Sequence, residues 1–252
     1  ISLWLNCIHA GNFVPWFGLQ LTAGNSLIGA RRQVFPSHLV TPKKKGEKSW
    51  LDVEPDRVPL GTDRASNTIY HWLLPDPGMA DFNDKVIREL APDAIKKMRS
   101  WRNEFKKPFT AADARVLERL SLLADGLWAE HAQQLSNLRK ETTDRFPIFG
   151  HEGDGKLHAT ELSQKDRKLS QELLSENVRN SSPYRRLKLA MDYWCALWFW
   201  PIEQADLLPN RDEYLLELQY ILEGQPVQEY GPEESGQVSL FPETQPRQRM
   251  LD

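Results

Sequence analysis

Residues 110–141 read TAADARVLERLSLLADGLWAEHAQQLSNLRKE, and this stretch carries the longest helical pattern of the sequence. Apolar residues recur in it every three or four positions, which is the spacing of one face of an α-helix. They are Val116, Leu117, Leu120, Leu123, Leu127, Trp128, Leu135 and Leu138. Thr110 precedes the run, and threonine is a favourable N-cap residue. The stretch therefore predicts one long amphipathic helix that begins after Thr110.

Further helical patterns lie on both sides of this stretch. Residues 84–105 carry apolar residues at helical spacing, with Pro92 as a break between two helices. A polar helix is predicted within 160–178, and an apolar one from Pro183 to Pro201. Residues 210–223 predict a last helix that ends at Gly224. Most of the chain is thus predicted to be helical.

The N-terminal 75 residues show helical, strand, turn and loop patterns in succession. Residues 1–11 predict the last turns of a helix, 19–23 a short strand, and 24–29, which read GNSLIG, a turn. Residues 67–74 read NTIYHWLL and favour a strand. Residues 34–59, rich in proline and with a run of three lysines, predict an irregular loop. This order is that of an α/β arrangement.

Composition limits the class of protein. The 252 residues are 40% hydrophobic and 27% charged with a formal net charge of -3, so no global basic field indicates a nucleic-acid binder. The only cysteines, Cys7 and Cys195, lie far apart beside apolar residues, which predicts buried thiols in a reducing cytoplasm and no zinc site. The longest apolar run, residues 193–200, is too short for a bilayer, which needs about 20 residues, so no membrane span is expected. The first residue, Ile1, lies within an apolar pattern, so we expect a fragment or a processed piece.

Three kinds of residue group have both a functional and a structural interpretation. Residues 150–161 partly match a calcium loop, but Gly150 stands where a carboxylate is expected. Two basic clusters could contact phosphates, although interspersed acidic residues favour solvated helix faces; they are Lys96, Lys97, Arg99, Arg102, Lys106 and Lys107, and then Arg185, Arg186 and Lys188. The tryptophan cluster Trp194, Trp198 and Trp200 could stack on bases but is interpreted as core.

No standalone catalytic motif is found. The sequence has no nucleophile elbow, no phosphate-binding G-x-x-x-x-G-K-[ST] loop and no HExxH helix. His131 lies between Leu127 and Leu135 in the long helical pattern, where a packed or surface imidazole is expected. We therefore assign no catalytic residue and no metal ligand from the sequence.

The order LWLNCIHAG and then FVPWFGLQLTAGNSLIGARR, within residues 3–32, resembles adenine-specific DNA methyltransferases of the large restriction-modification type, including the methylases of DISARM-like phage defence systems. In that family a G-[DN]-S-L-[IV]-G turn closes over the adenine of S-adenosylmethionine. The segments HWLLPDPGMADFNDKV, residues 71–86, and SPYRRLKLAMDYWCALWFWPIE, residues 182–203, also resemble the region that these methylases place before their catalytic motif.

The resemblance assigns three cofactor-binding residues. Asn25 accepts a hydrogen bond from the adenine amino group, Ser26 offers its backbone N–H, and Leu27 packs near the ring. An asparagine accepts without the charge of an aspartate, so this bond is weaker than a charge-assisted one. From the residues alone, the same turn has a second explanation, in which Gly24 and Gly29 only provide positive dihedral angles for a chain reversal.

The resemblance also predicts what this chain alone does not do. The glycine loop that cradles the methionine part of the cofactor and the [DNS]-P-P-[YFW] motif that holds a flipped adenine are both absent from the 252 residues. We expect a fragment between these motifs that does not transfer a methyl group alone, from a protein that binds S-adenosylmethionine and DNA and possesses defence-system partner subunits. The competing class is a noncatalytic helical protein-interaction module.

The expected fold is mainly α, a helical region attached to a partial Rossmann-like α/β methyltransferase sheet. Residues 1–75 are expected to be the remnant of the methyltransferase domain, 76–224 a helical insertion that contacts DNA or a partner subunit, and 225–252 a flexible tail.

Overall fold

Seven helices dominate the computed structural model, which describes residues 2–7, 16–21, 29–42, 46–144, 160–171 and 182–224, without the side chains of Trp4 and Cys7. The helices are α1 (Ser2–Cys7), α2 (Lys85–Leu90), α3 (Pro92–Phe105), α4 (Ala111–Thr142), α5 (Leu162–Leu169), α6 (Pro183–Ala196) and α7 (Arg211–Glu223). The prediction of a mainly helical protein is confirmed. The predicted cofactor-binding residues Asn25, Ser26 and Leu27, most of the calcium-like loop and the tail 225–252 lie outside the described residues.

The strands form a small antiparallel sheet. They are β1 (Gln33–Pro36), β2 (Asp56–Arg57) and β3 (Thr68–Tyr70), in the order β2-β1-β3. Val34 pairs with Asp56 on one side and with Tyr70 on the other. The described residues contain no parallel strand pair, so the expected Rossmann-like sheet is not confirmed.

Two local predictions in this N-terminal part are wrong. Residues 19–21 were predicted to be extended, but the N–H groups of Gln20 and Leu21 both donate to the carbonyl oxygen of Phe17, at 3.1 Å, and close a turn. The predicted loop at 34–59 contains most of β1 and all of β2. Val34 and Phe35 are buried in β1, because pairing with β3 places them in the core. Pairing between distant segments thus overrides the proline-rich local pattern.

The C-terminal end of α6 also differs from the prediction. The helix ends at Ala196 instead of continuing to Pro201. The next residues form a turn in which the Trp198 N–H donates to the carbonyl of Cys195, at 3.1 Å. The carbonyl of Leu197 accepts the N–H of Ala80, at 2.8 Å. This tertiary contact satisfies a carbonyl for which Pro201, four residues later, has no N–H to donate.

The predicted starting point of α4 is confirmed. Thr110 accepts a hydrogen bond from the Asp113 N–H at 3.2 Å, and the Asp113 carboxylate accepts the Thr110 N–H at 3.0 Å. This reciprocal pair is a capping box, and it satisfies two N–H groups at the helix start. Gly224, with φ of 70°, ends α7 in the left-handed conformation, as its position predicts.

We expect Thr110→Ala to lower the free energy of unfolding by about 1 kcal/mol, because the Asp113 N–H loses its acceptor at the start of α4. Thr110→Ser keeps the hydroxyl and should cost less than half as much. Urea unfolding followed by circular dichroism measures both changes. Equal losses in the two variants would show that the methyl group, and not the cap, stabilises this end.

The core lies where α4, α6, α7 and β3 meet. Its fully buried residues include Leu117, Leu120, Ala190, Tyr214 and Leu218. Trp194 and Trp200 are buried too, and their indole N–H groups donate to the backbone carbonyls of Leu74 and Gln204. The interpretation of this tryptophan cluster as core is confirmed.

Candidate functional site

The residues that follow the GNSLIG segment, residues 24–29, are anchored one after another. Ala30 packs against the core, and the Arg31 N–H donates to Nε2 of His71 at 2.9 Å. The guanidinium of Arg32 donates to the carbonyls of Pro59 and Thr62, at 2.6 and 2.7 Å. β1 begins at the next residue. Each residue from 30 to 32 is therefore held by a different part of the fold.

An open cavity of about 410 Å³ lies directly beside this anchored segment. It is bounded by α4, α6 and the residues next to each, and its lining is Gly29, Ala30, Trp128, His131, Tyr184, Leu187, Lys188, Met191, Asp192, Cys195 and Phe199. The volume is within the range of small-molecule sites. We take this cavity as the candidate site.

Helical periodicity explains how the two helices supply the lining. Trp128 and His131 are three residues apart on α4, and Tyr184, Leu187 and Met191 follow one another at helical spacing on α6. The rings of His131 and Tyr184 lie 5.1 Å apart between centroids at 34°, and those of Trp128 and His131 lie 6.5 Å apart. An aromatic wall thus runs from one helix to the other.

The ionisable groups of the cavity bring little net charge. Burial lowers the pKa of His131 and raises the pKa of the Cys195 thiol, so both groups are held in their neutral forms near pH 7. Lys188 and Asp192 form an ion pair one helical turn apart. A protonated thiol is a poor nucleophile. The arrangement suits binding of a flat, neutral ring better than acid–base or nucleophilic catalysis.

Two polar atoms at this wall have no hydrogen-bond partner within the described parts of the chain. They are Nδ1 of His131 and Nε1 of Trp128, both closed off from solvent. His131 is packed, being only 8% exposed, which is one of the two states expected from the sequence.

Sequence reasoning found one edge of the cavity and missed its walls. Gly29 is the last residue of the GNSLIG turn, and it lies in the lining. Trp128 was assigned only to an apolar stripe, and Tyr184 was not singled out. The sequence offers one signal for them, aromatic residues at the half-buried edge of an amphipathic helix, but it does not show that these two edges face each other.

Several residues of the two basic clusters form ion pairs or hydrogen bonds with other parts of the protein. Lys97 pairs with Asp206 at 2.7 Å and Arg102 with Asp81 at 2.7 Å. In the second cluster, Arg186 donates to the carbonyl of Leu222 in addition to the Lys188 pair described above. These contacts support the interpretation of both clusters as ordinary helix faces.

Comparison of the chain with protein-family models, curated protein sequences and solved structures finds no match. Within the described residues, no helix has the length and apolar character needed to cross a membrane. In the same ranges, no three His, Cys, Asp or Glu residues are grouped as metal ligands would be.

Proposed function

We propose that this chain is part of an S-adenosylmethionine-dependent, adenine-specific DNA methyltransferase of a restriction or phage-defence system. The resemblance of residues 3–32 to that family suggests the activity. One structural observation supports it: Gly29, the last residue of the GNSLIG segment, lies in the wall of an aromatic cavity of ligand size.

In this proposal, the Asn25 side chain accepts a hydrogen bond from the adenine amino group. The backbone N–H of Ser26 is offered to the adenine, and Leu27 packs near the ring. S-adenosylmethionine supplies the activated methyl group, and this chain contributes the binding and orientation of the purine end. Because no [DNS]-P-P-[YFW] string occurs in the sequence, the proposal assigns cofactor binding and not catalysis to these residues. DNA is the substrate, and the helices from α2 onward face it or a partner subunit.

Calorimetric titration of S-adenosylmethionine into the 252-residue chain tests this proposal. We expect weak binding, since no glycine loop is present for the methionine part. Asn25→Ala should weaken it about fivefold, the effect of one lost hydrogen bond of about 1 kcal/mol. Asn103→Ala, an asparagine exposed on α3, is the matched control and should bind like the parent chain.

Two results would contradict the proposal. One is a chain that is folded by circular dichroism and does not bind S-adenosylmethionine at millimolar concentration. The other is binding that Asn25→Ala leaves unchanged. Either result favours the noncatalytic helical interaction module.

A further inference from the structure

We infer that the cavity between α4 and α6 is a binding site for a free, uncharged, flat aromatic molecule of one or two fused rings. The site consists of described residues alone, on the two helices and at residues 29–30. It does not rest on the proposed function, because a methyltransferase fragment and a noncatalytic helical module can each carry such a site.

Aromatic and apolar side chains from both helices line this cavity. Trp128 and His131 come from α4, and Tyr184, Leu187 and Met191 come from α6. The His131 and Tyr184 rings lie 5.1 Å apart between centroids, with 34° between their planes. Trp128, Tyr184 and Met191 are only half-buried, so the fold leaves part of their apolar surface uncovered. A flat aromatic ring can cover this surface by stacking on the rings that line it.

The wall that residues 29 and 30 form is held in place by the fold. Ala30 packs against the core, and the next residue, Arg31, donates its N–H to Nε2 of His71 at 2.9 Å. Sites for small molecules are concave, mostly apolar and largely preformed, with volumes of about 300–1,000 Å³. A cavity of about 410 Å³ between two helices and this anchored segment therefore fits a free small molecule.

The charges of the lining determine the charge of the ligand. Lys188 and Asp192 are the only charged side chains among the described lining residues, and they pair with each other on α6. Burial lowers the pKa of His131 and raises the pKa of the Cys195 thiol, so both groups are neutral near pH 7. A charged ligand would lose its hydration without gaining an unpaired opposite charge, which costs free energy. An uncharged ring does not incur this cost.

Ligand-observed NMR titration of the 252-residue chain with three indoles tests the inference. Tryptophol, tryptamine and indole-3-acetate share the bicyclic ring, and their side chains end in a hydroxyl, an ammonium and a carboxylate group. We expect tryptophol to bind, and each charged indole to bind about tenfold more weakly. Tighter binding of tryptamine would show a site for cations on the ring faces, and tighter binding of indole-3-acetate would show that Lys188 is open to anions. Either result, or no binding of tryptophol, would overturn the inference.

Two pairs of variants locate the bound tryptophol. Met191→Trp adds bulk to the lining and should weaken binding at least about tenfold. Leu189→Trp adds the same ring on α6 at a side chain that is 41% exposed and outside the lining, so it should bind like the parent chain. Tyr184→Leu removes a ring without adding bulk and should weaken binding about tenfold. Its matched control is Tyr220→Leu, at a tyrosine 40% exposed on α7.

Circular dichroism shows whether each variant is folded. Tyr184→Leu keeps the inference testable if Met191→Trp does not fold. Tryptophol that binds the folded cavity variants as tightly as it binds the parent chain would lie elsewhere, and the inference would be overturned.

The remaining outcomes separate a free ligand from a partner protein, and this inference from the proposed function. If the capped peptide Gly-Gly-Trp-Gly-Gly binds about tenfold more tightly than tryptophol, the cavity receives a side chain of a partner, and the inference of a free molecule is overturned. If tryptophol binds as expected and S-adenosylmethionine does not bind, the inference stands and the proposed function fails. If S-adenosylmethionine binds through Asn25 and tryptophol does not bind, only the inference fails.

Discussion

We expect Asp125→Ala to lower the free energy of unfolding by about 3 kcal/mol, because it leaves a buried guanidinium without its carboxylate. Asp125 lies on α4 and accepts from Nε and Nη2 of Arg64, at 2.9 and 2.8 Å. The Arg64 side chain is only 3% exposed. Asp125 also accepts the hydroxyl of Tyr70 at 2.8 Å, and burial together with this carboxylate raises the pKa of Tyr70 to about 12. One side chain thus holds β3 and the loop before it against α4.

Urea unfolding measures this loss, with Asp206→Ala as the control. Asp206 forms an exposed ion pair with Lys97, and removing it should cost less than about 1 kcal/mol. The double variant Arg64→Met with Asp125→Leu should be more stable than Asp125→Ala, since it leaves no unpaired charge. If Asp125→Ala were no worse than Asp206→Ala, Arg64 would have a route to solvent that the fold does not show.

We also expect the protein to lose about 3 kcal/mol of stability through His71 as the pH falls from 6.5 to 4. Burial lowers the pKa of His71 from 6.5 to about 4. The ring accepts the Arg31 N–H through Nε2 and meets the Trp194 ring edge to face, at 5.2 Å between centroids. Between these pH values the unfolded chain binds a proton that the folded chain does not, so acid favours unfolding. The contribution is complete above pH 6.5.

The variant His71→Gln isolates this contribution, because its amide oxygen can still accept the Arg31 N–H but does not titrate. We expect it to be less stable than the parent chain at pH 7 and to match or exceed it at pH 4. The difference between the two proteins is the measured quantity, since burial also lowers the pKa of His131 and raises that of Asp76 in both. A difference that stays constant from pH 7 to pH 4 would show that His71 has the same pKa in the folded and the unfolded chain.

Local signals in the sequence were sufficient for several of the helix boundaries. Pro92 separates α2 from α3, Thr110 begins α4 and Gly224 ends α7, all as predicted. Each of these signals acts within one turn of the helix, through a missing N–H, a side-chain cap or a positive φ, so it can be recognised without knowledge of the fold.

The strands of the sheet could not be predicted from such local signals. β1 follows two arginines and ends at Pro36, and it is extended because β3 and β2 pair with it on either side. Residues 19–21 have a strand-like composition and nevertheless turn, because the Phe17 carbonyl accepts the N–H groups of Gln20 and Leu21. Strand formation depends on partners that are distant in sequence, and composition does not name them.

In the candidate site, too, some features follow from the local sequence and others only from the tertiary structure. The sequence by itself determined the helices that carry Trp128 and Tyr184, and it suggested a ligand-binding role for residues 24–29. Only the tertiary structure decided that α4 and α6 place these rings on one cavity and that His71 anchors the chain beside it. The physical reason is that helical periodicity fixes which residues share a face, whereas packing of the whole core decides which faces meet.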